Sequence, residues 1–370
     1  MTIPNSFLVI GSGPCGTLTV GTILKYFPRV AITWVSKTPF SQLGNFGRYM
    51  DVPGNTPVSV ITKTLRAVPA MNFESAQGNR PSPTLSTWPE DKTCPLGLAI
   101  DAYNDASSHL QALPNVETIE ATVDDISPCS SSPSSLIASC SSPSSPSPFT
   151  VSSSNVFLAS GLVPSPPPPT PAHVIPFYTA MSPSSLSSYI KKFSSTCTEF
   201  YVTGSSHSGM LAVQNLCNAG VPPSRIKVIH RSPLRYAEAM PDGWTKFDGS
   251  GLKGTVAEWC KNDLPPEITF LQTSPDVFAS IPSSACVIYS HAWEHESRPS
   301  WMGSPLPPHD GYSGTFPKTA ADNLHAVGFA FPEMYTDGEG HEEYRVGFNF
   351  VFYLHLCRMM ERIRSQQPQQ

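Results

Sequence analysis

The chain has 370 residues, which at about 150 residues per domain predicts two domains and a sizeable core. With 39% apolar and 14% charged residues it is globular, and its 40 prolines point to stiff connectors between folded parts. A net charge of −5, with 23 Lys and Arg spread along the sequence, offers no basic field to a nucleic-acid backbone.

Residues Met1 to Ser6 have neither a basic start nor an apolar h-region. The longest apolar stretch, Val346 to Cys357, contains Asn349 and His355 and falls short of the ~20 residues that cross a bilayer. A cytoplasmic protein without membrane or nucleic-acid partners is expected. Nine cysteines at irregular spacing, with no CxxC, suggest reduced thiols and remove both a redox dithiol loop and a zinc ribbon. No metal site is expected.

In chain order, residues 5 to 35 read as a βαβ unit: an apolar strand Phe7 to Ile10, a glycine turn, a helix Thr17 to Tyr26 and a β-branched strand Val30 to Val35. Between 127 and 148, 17 of 22 residues are Ser or Pro, which predicts a disordered surface insert between strands 116–126 and 149–158. PSPPPPTP at 164–171 reads as a stiff extended spacer. A second βαβ unit follows, with strand Glu199 to Thr203, helix Met210 to Ala219 and strand Ile226 to His230. The chain closes with a strand at 324–331 and an amphipathic helix at 346–363.

Gly11, Gly13 and Gly16 in VIGSGPCG satisfy GxGxxG between a strand and a helix. The first glycine permits the tight turn, the second lets a pyrophosphate approach the backbone, and the third lets helix and strand pack. The helix N-terminus then stabilises the anion. The carboxylate expected about 20 residues on is replaced by Ser36 and Lys37, and Ser36 could hydrogen-bond a ribose hydroxyl. The second turn, Gly204, Ser205, Ser206, His207, Ser208 and Gly209, offers hydroxyls beside its backbone N–H groups. Arg231 follows the next strand, where a guanidinium forks onto a 2′-phosphate and favours NADPH, or is an ordinary surface charge. His207 is either a ligand-facing residue or a helix cap.

VIGSGPCG at 9–16, FLASG at 157–161, VTGSSHSG at 202–209 and LHAVGFAFPE at 324–333 occur in an order that resembles the two-dinucleotide-domain flavoproteins. Within that group the sequence is similar to the flavin monooxygenase and N-hydroxylating monooxygenase branch. GRYMDVPGNTPV at 47–58 resembles a set of fungal FAD/NAD(P)-binding proteins. The resemblance implies an α/β fold of two Rossmann-like domains, the second inserted in the first. Residues 1–163 and 293–370 would form an FAD domain, 164–175 a linker, and 176–292 an NAD(P)H domain. Gly11, Gly13, Pro14, Cys15, Gly16, Ser36, Gly161 and Gly328 would then bind FAD. Gly204, Ser205, Ser206, His207, Ser208, Gly209 and Arg231 would take NADPH. A second strand-end motif of the Ala159-Ser160-Gly161 kind is replaced by Ser290, His291, Ala292 and Trp293.

A flavin enzyme needs few protein acids, because the ring carries the redox chemistry. Arg48 and Asn55 are candidates to lie over the flavin and stabilise negative charge on it; alternatively Pro53 and Gly54 make a turn that Asn55 caps. His291 to Trp301 could hold a metal or form a junction loop, and Met334 to Glu343 reads as a solvated loop. Gly347 and Asn349, opening the last helix, are placed either beside the flavin or in simple packing. The expected function is NADPH-dependent, FAD-dependent oxidation of a small molecule by a monooxygenase-like enzyme. A reductase or oxidase without oxygen insertion, and a non-catalytic nucleotide-binding protein, are the alternatives.

Overall fold

The computed structural model describes residues 6–78, 81–143, 145–193, 197–241, 245–291, 293–295, 298–317, 321–345 and 350–366. Strand Ser6–Ile10, a run of buried Phe7, Leu8 and Val9, pairs in parallel with Ala31–Ser36 on one side and Asn155–Leu158 on the other. Val116–Glu120 and Leu324–Ala326 extend this into a five-stranded parallel sheet. Runs this apolar are expected where helices or a second layer cover both faces. Helices Pro14–Tyr26, Leu96–Gln111 and Phe350–Ser365 cover one face around Trp34, Leu18 and Ile23.

The other face is covered by an antiparallel meander, Thr122–Cys129, Ser132–Ser142 and Ser145–Ser153. The expected disordered insert at 127–148 is therefore corrected. Leu136, Ala138 and Cys140 alternate inward and pack on Val123, Ile126, Leu8 and Leu158. Ile137 and Ser139 between them are less buried, so a period-2 pattern exists beneath the low-complexity composition.

The second five-stranded parallel sheet runs His173–Val174, Cys286–Tyr289, Phe200–Thr203, Ile226–His230, Thr269–Gln272. Its last four strands repeat the spatial order of 155–158, 6–10, 31–36 and 116–120 in the first sheet. It has its own core, built on Val202, Val228, Ile288 and Met210. The spacer ends in the edge strand His173–Val174. Two connectors join the units side by side, Leu162–Pro164 pairing antiparallel with Trp293–His295.

The expectation of nine reduced thiols is corrected at one pair. Cys197 and Cys286, 89 residues apart, are disulfide-bonded; the register setting Phe200 beside Cys286 brings them together, and the other seven cysteines are free. Met334 to Glu343 is a hairpin rather than a loop, Glu333–Thr336 pairing with Glu342–Arg345 around a turn held by Asp337. No helix of the described residues is long and apolar enough to cross a membrane.

Candidate functional site

Each sheet presents a glycine turn at the carboxyl end of its central strand, the edge at which open α/β sheets bind ligands. In the first, Gly11 has φ +117° and its N–H donates to the Val35 carbonyl at 2.8 Å. An added Cβ on Gly11 would sit 2.4 Å from the Ala159 carbonyl oxygen, and one on Gly16 would sit 1.9 Å from the Gly11 carbonyl oxygen. Both positions exclude any side chain. At Gly13 an added Cβ would meet only the Leu43 carbonyl oxygen, at 3.6 Å, so this face of the backbone is the open one. Pro14 begins the helix, where its missing N–H costs nothing. The N–H groups of Cys15 and Gly16 lack helical acceptors and are available to an anion.

Trp34, fully buried, donates its Nε1 to the Gly11 carbonyl at 2.8 Å and so fixes the plane of the turn. Sequence reasoning missed it; the signal was a tryptophan alternating with Ile32 and Ser36 on the face of the strand that meets the glycine helix. Cys15 packs against Gly328, which has φ +95°. Burial pushes the Cys15 thiol up to about 12, against a weaker opposing contact with the Phe329 backbone, so it stays neutral beside the helix N-terminus. Gly328 thus borders the first turn. Gly161 is exposed between the strand ending at Leu158 and the connector starting at Leu162.

The second turn repeats the hydrogen bonding and the helix–turn contact of the first, although an added Cβ on Gly204 would meet Ser290 Oγ at 3.1 Å and not a carbonyl at 2.4 Å. Gly204 has φ +102° and donates to the Ile229 carbonyl at 2.8 Å, and an added Cβ on Gly209 would lie 1.9 Å from the Gly204 carbonyl oxygen. Thr17 N–H bonds to Gly13 at 3.0 Å, and Met210 N–H to Ser206 at 3.0 Å. Ala159 N–H bonds to Ile10, and Ser290 N–H to Thr203. Ser206 is therefore the counterpart of Gly13, exposed and with no side-chain cap bond. Thr203 Oγ1 lies 2.6 Å from His291 Nδ1, and the His291 Cβ borders Gly204. His207 begins the helix. Burial, aided by the nearby Lys253 ammonium, lowers its pKa to about 4, so it adds no charge to the cradle at neutral pH.

The strand ends differ from a carboxylate-bearing cradle in the same way in both units. Ser36 is buried and donates to the Thr38 carbonyl at 2.7 Å while accepting from Ser12 Oγ at 2.7 Å. Its one proton is thus already committed, and it can meet a ribose only as an acceptor. Lys37 beyond it and Arg231 beyond His230 are both exposed. The first turn fits the pyrophosphate of FAD; the strand end beside it lacks the usual acid for the ribose.

The side chains of Arg48 and Asn55 already have protein partners, Asn55 Oδ1 accepting from Thr56 Oγ1 at 3.1 Å. The Arg48 guanidinium stacks on the Tyr178 ring at 4.9 Å, and the Asn55 backbone abuts Gly254, at the start of helix Gly254–Asn262. Between them, Asp51 accepts from Ser182 Oγ at 2.5 Å and Ser184 Oγ at 2.8 Å. Burial opposes its charge, but these hydroxyls outweigh that and hold its carboxyl below the usual value. Val52 is buried in the second unit's core. Residues 48–55 are a strap from one unit to the other. Gly54 belongs to a tight pairing with strand Thr93–Pro95, where an added Cβ would lie 2.6 Å from the Cys94 carbonyl oxygen.

Ala292, Glu296, Gly347 and Asn349 lie outside the described residues. Among the described residues no group of three or more His, Cys, Asp or Glu could hold a metal. A cavity of about 450 Å³ against the last helix, lined by Tyr312, His355, Arg358 and Arg362, includes no residue of either turn.

Two parallel sheets with four strands in the same order, twin glycine turns and paired connectors make up an α/β fold that is shared with solved flavoprotein oxidoreductases, as the sequence motifs led one to expect. The chain is 28% identical over 388 residues to "Monooxygenase AgnR1" of Paecilomyces divaricatus, covering 96% of this chain and 97% of that protein. The ornithine N-hydroxylase KtzI of Kutzneria sp. 744, solved with reduced FAD, NADP+ and L-ornithine, superposes with a TM-score of 0.57 at 12% identity, over 98% of this chain and all of that one. The bacillithiol disulfide reductase of Bacillus cereus gives 0.55 at 11% identity, over 98% and 99% of the two chains. No protein-family model matches the sequence.

Proposed function

We propose that the chain is an FAD-dependent, NADPH-using oxidoreductase of the monooxygenase type that oxidises a small molecule. The observation that supports this most is the duplicated cradle: in each unit the first glycine's N–H, the contact that excludes a Cβ and the strand-end cation recur at equivalent positions. Residues 1–163 and 293–370 form the FAD domain and 173–292 the NADPH domain, since His173–Val174 is a strand of the second sheet and so shortens the expected linker 164–175 to 164–172. Gly11, Gly13, Cys15 and Gly16 bind the FAD pyrophosphate through backbone N–H groups, and Trp34 keeps that backbone in place. Gly204 to Gly209 bind the NADPH pyrophosphate, Ser206 adding a hydroxyl, and Arg231 takes the 2′-phosphate. FAD, when bound, supplies the chemistry of hydride acceptance and electron delivery to oxygen.

Similarity to a monooxygenase along nearly the whole chain supports oxygenation over simple reduction, and the lack of a CxxC removes an internal dithiol of that kind as the electron acceptor.

The test is reconstitution with FAD followed by anaerobic titration with NADPH. Loss of flavin absorbance on NADPH addition, and a hydroxylated product once oxygen is admitted, are expected. Failure to take up FAD, or bleaching by neither coenzyme, defeats the reading; hydrogen peroxide in place of any oxygenated product moves it to an oxidase.

A further inference from the structure

The two strand ends share one network. In the first unit Ser12 of the turn bonds to Ser36, and Ser36 donates to the Thr38 carbonyl. In the second, Ser205 of the turn donates to the Ser232 carbonyl at 3.1 Å and His230 Nδ1 donates to the same carbonyl at 3.0 Å. Gly11 bonds to Val35 and Gly204 to Ile229, so Ser36 and His230 are equivalent, as are Lys37 and Arg231, and Thr38 and Ser232. Each loop curls back on its turn and leaves an exposed cation at its apex, and among the described residues neither cation forms an ion pair.

A strand-end carboxylate does two things: it accepts from the ribose hydroxyls, and it repels a 2′-phosphate. Here the first cradle has a neutral, committed Ser36 and a free Lys37, so the repulsion is gone and an attraction replaces it. Glu120, exposed at the end of the neighbouring strand and register-paired with Ser36, is the carboxylate this pairing sets beside the loop. Its counterpart in the second unit is the neutral Gln272, which donates to the Arg231 carbonyl at 3.0 Å.

We propose that the first cradle accepts a 2′-phosphorylated adenosine through Lys37, so that NADP(H) competes with FAD there and high coenzyme concentration empties the flavin site. This rests on the two-cradle reading above and adds a mode of regulation to it.

The experiment is calorimetric titration of the full chain with adenosine 2′,5′-bisphosphate, which carries the 2′-phosphate but neither flavin nor nicotinamide. Two equivalents bind the wild type, one binds Arg231→Glu or Lys37→Glu, and none binds the double variant. Lys37→Gln serves as a second variant if the charge reversal perturbs folding. In a flavin-loaded sample, NADP+ releases FAD, read as recovered fluorescence, at a concentration about tenfold or more below that of NAD+. Ser36→Glu abolishes that advantage. A wild-type stoichiometry of one that vanishes in Arg231→Glu overturns the proposal, as does FAD release that responds to Glu120→Gln but not to Lys37 variants. Two equivalents in a chain that takes up no FAD leave Lys37 as a 2′-phosphate site but overturn the competition with FAD together with the flavoprotein reading; FAD uptake with a single equivalent overturns the proposal and leaves that reading standing.

Discussion

Gly16→Ala and Gly209→Ala place the same methyl group at equivalent points of two cradles. Each new Cβ would start 1.9 Å from the carbonyl oxygen of the first glycine of its turn, where real Cβ contacts are not found under 3.0 Å. Helix and strand must separate by about 1.1 Å, and nothing flexible is available to give way, because the obstructing atom is backbone. Overpacking of this kind costs about 1–3 kcal/mol. At Gly16 the displaced carbonyl is also the acceptor for Trp34 Nε1, and loss of that partner adds about 1–3 kcal/mol. At Gly209 the neighbour is Ser290 Oγ, 3.0 Å from the added atom, a side chain able to rotate. Gly16→Ala is therefore expected to be the more destabilising of the two in urea unfolding. Because the units have separate cores, Gly16→Ala should weaken FAD binding while NADPH still binds, and Gly209→Ala should do the opposite. If both variants lose stability yet bind both nucleotides as the wild type does, the turns are packing devices and the cradle argument is refuted.

Arg231→Ala should raise the Michaelis constant for NADPH by about tenfold to a hundredfold, from about 1.5–3 kcal/mol of lost charge-assisted bonding, with little change for NADH; equal effects on both coenzymes would remove the 2′-phosphate assignment. His325 is fully buried against Phe157, with neither ring nitrogen bonded, and burial together with Arg362 lowers its pKa to about 3. A histidine depressed in the fold binds its proton only when unfolded, so stability should fall as pH drops from about 6.5 toward 3, at up to about 1.4 kcal/mol per pH unit. His325→Phe should flatten that slope in denaturant titrations, and an unchanged slope would show that the ring is protonated in the fold. Asp51 has the opposite sign of group but the same direction of effect: its lowered carboxyl stabilises above its unfolded value near 3.8, and the contribution is lost as pH falls through the folded value. Asp51→Ala should cost about 1 kcal/mol and speed proteolysis in the exposed spacer; cleavage at the wild-type rate would mean that the strap does not hold the units together.

What the sequence revealed was whatever depends on neighbours along the chain. Both glycine turns and the strand 226–230 could be placed from local pattern, because a GxGxxG turn between apolar strand and helix carries its own steric reason. What stayed hidden depends on register between distant segments. The serine-rich run folds because Leu136, Ala138 and Cys140 find Leu8 and Leu158 on the sheet beneath, and composition averages that alternation away. Cys197 meets Cys286 through strand pairing. Trp34 matters because parallel register sets it under Gly11.

The strap at 48–55 shows the same limit in the candidate site. Read locally, its proline and glycine make a turn and its arginine and asparagine look like groups awaiting a ligand. In the fold the arginine meets Tyr178 and the aspartate meets Ser182 and Ser184, all beyond the proline spacer in sequence. With the paired connectors Leu162–Pro164 and Trp293–His295, this gives the two units a further tie, formed by different residues. Electron passage between two nucleotides requires that their cradles keep a fixed separation and orientation. The hairpin Glu333–Arg345 adds bonds of its own to the second unit, from Lys246 to Glu339 and from the Asp248 N–H to Glu343. Ties at separate places constrain rotation that one would permit, so substitutions in the strap should alter both coenzyme dependence and turnover without touching either cradle.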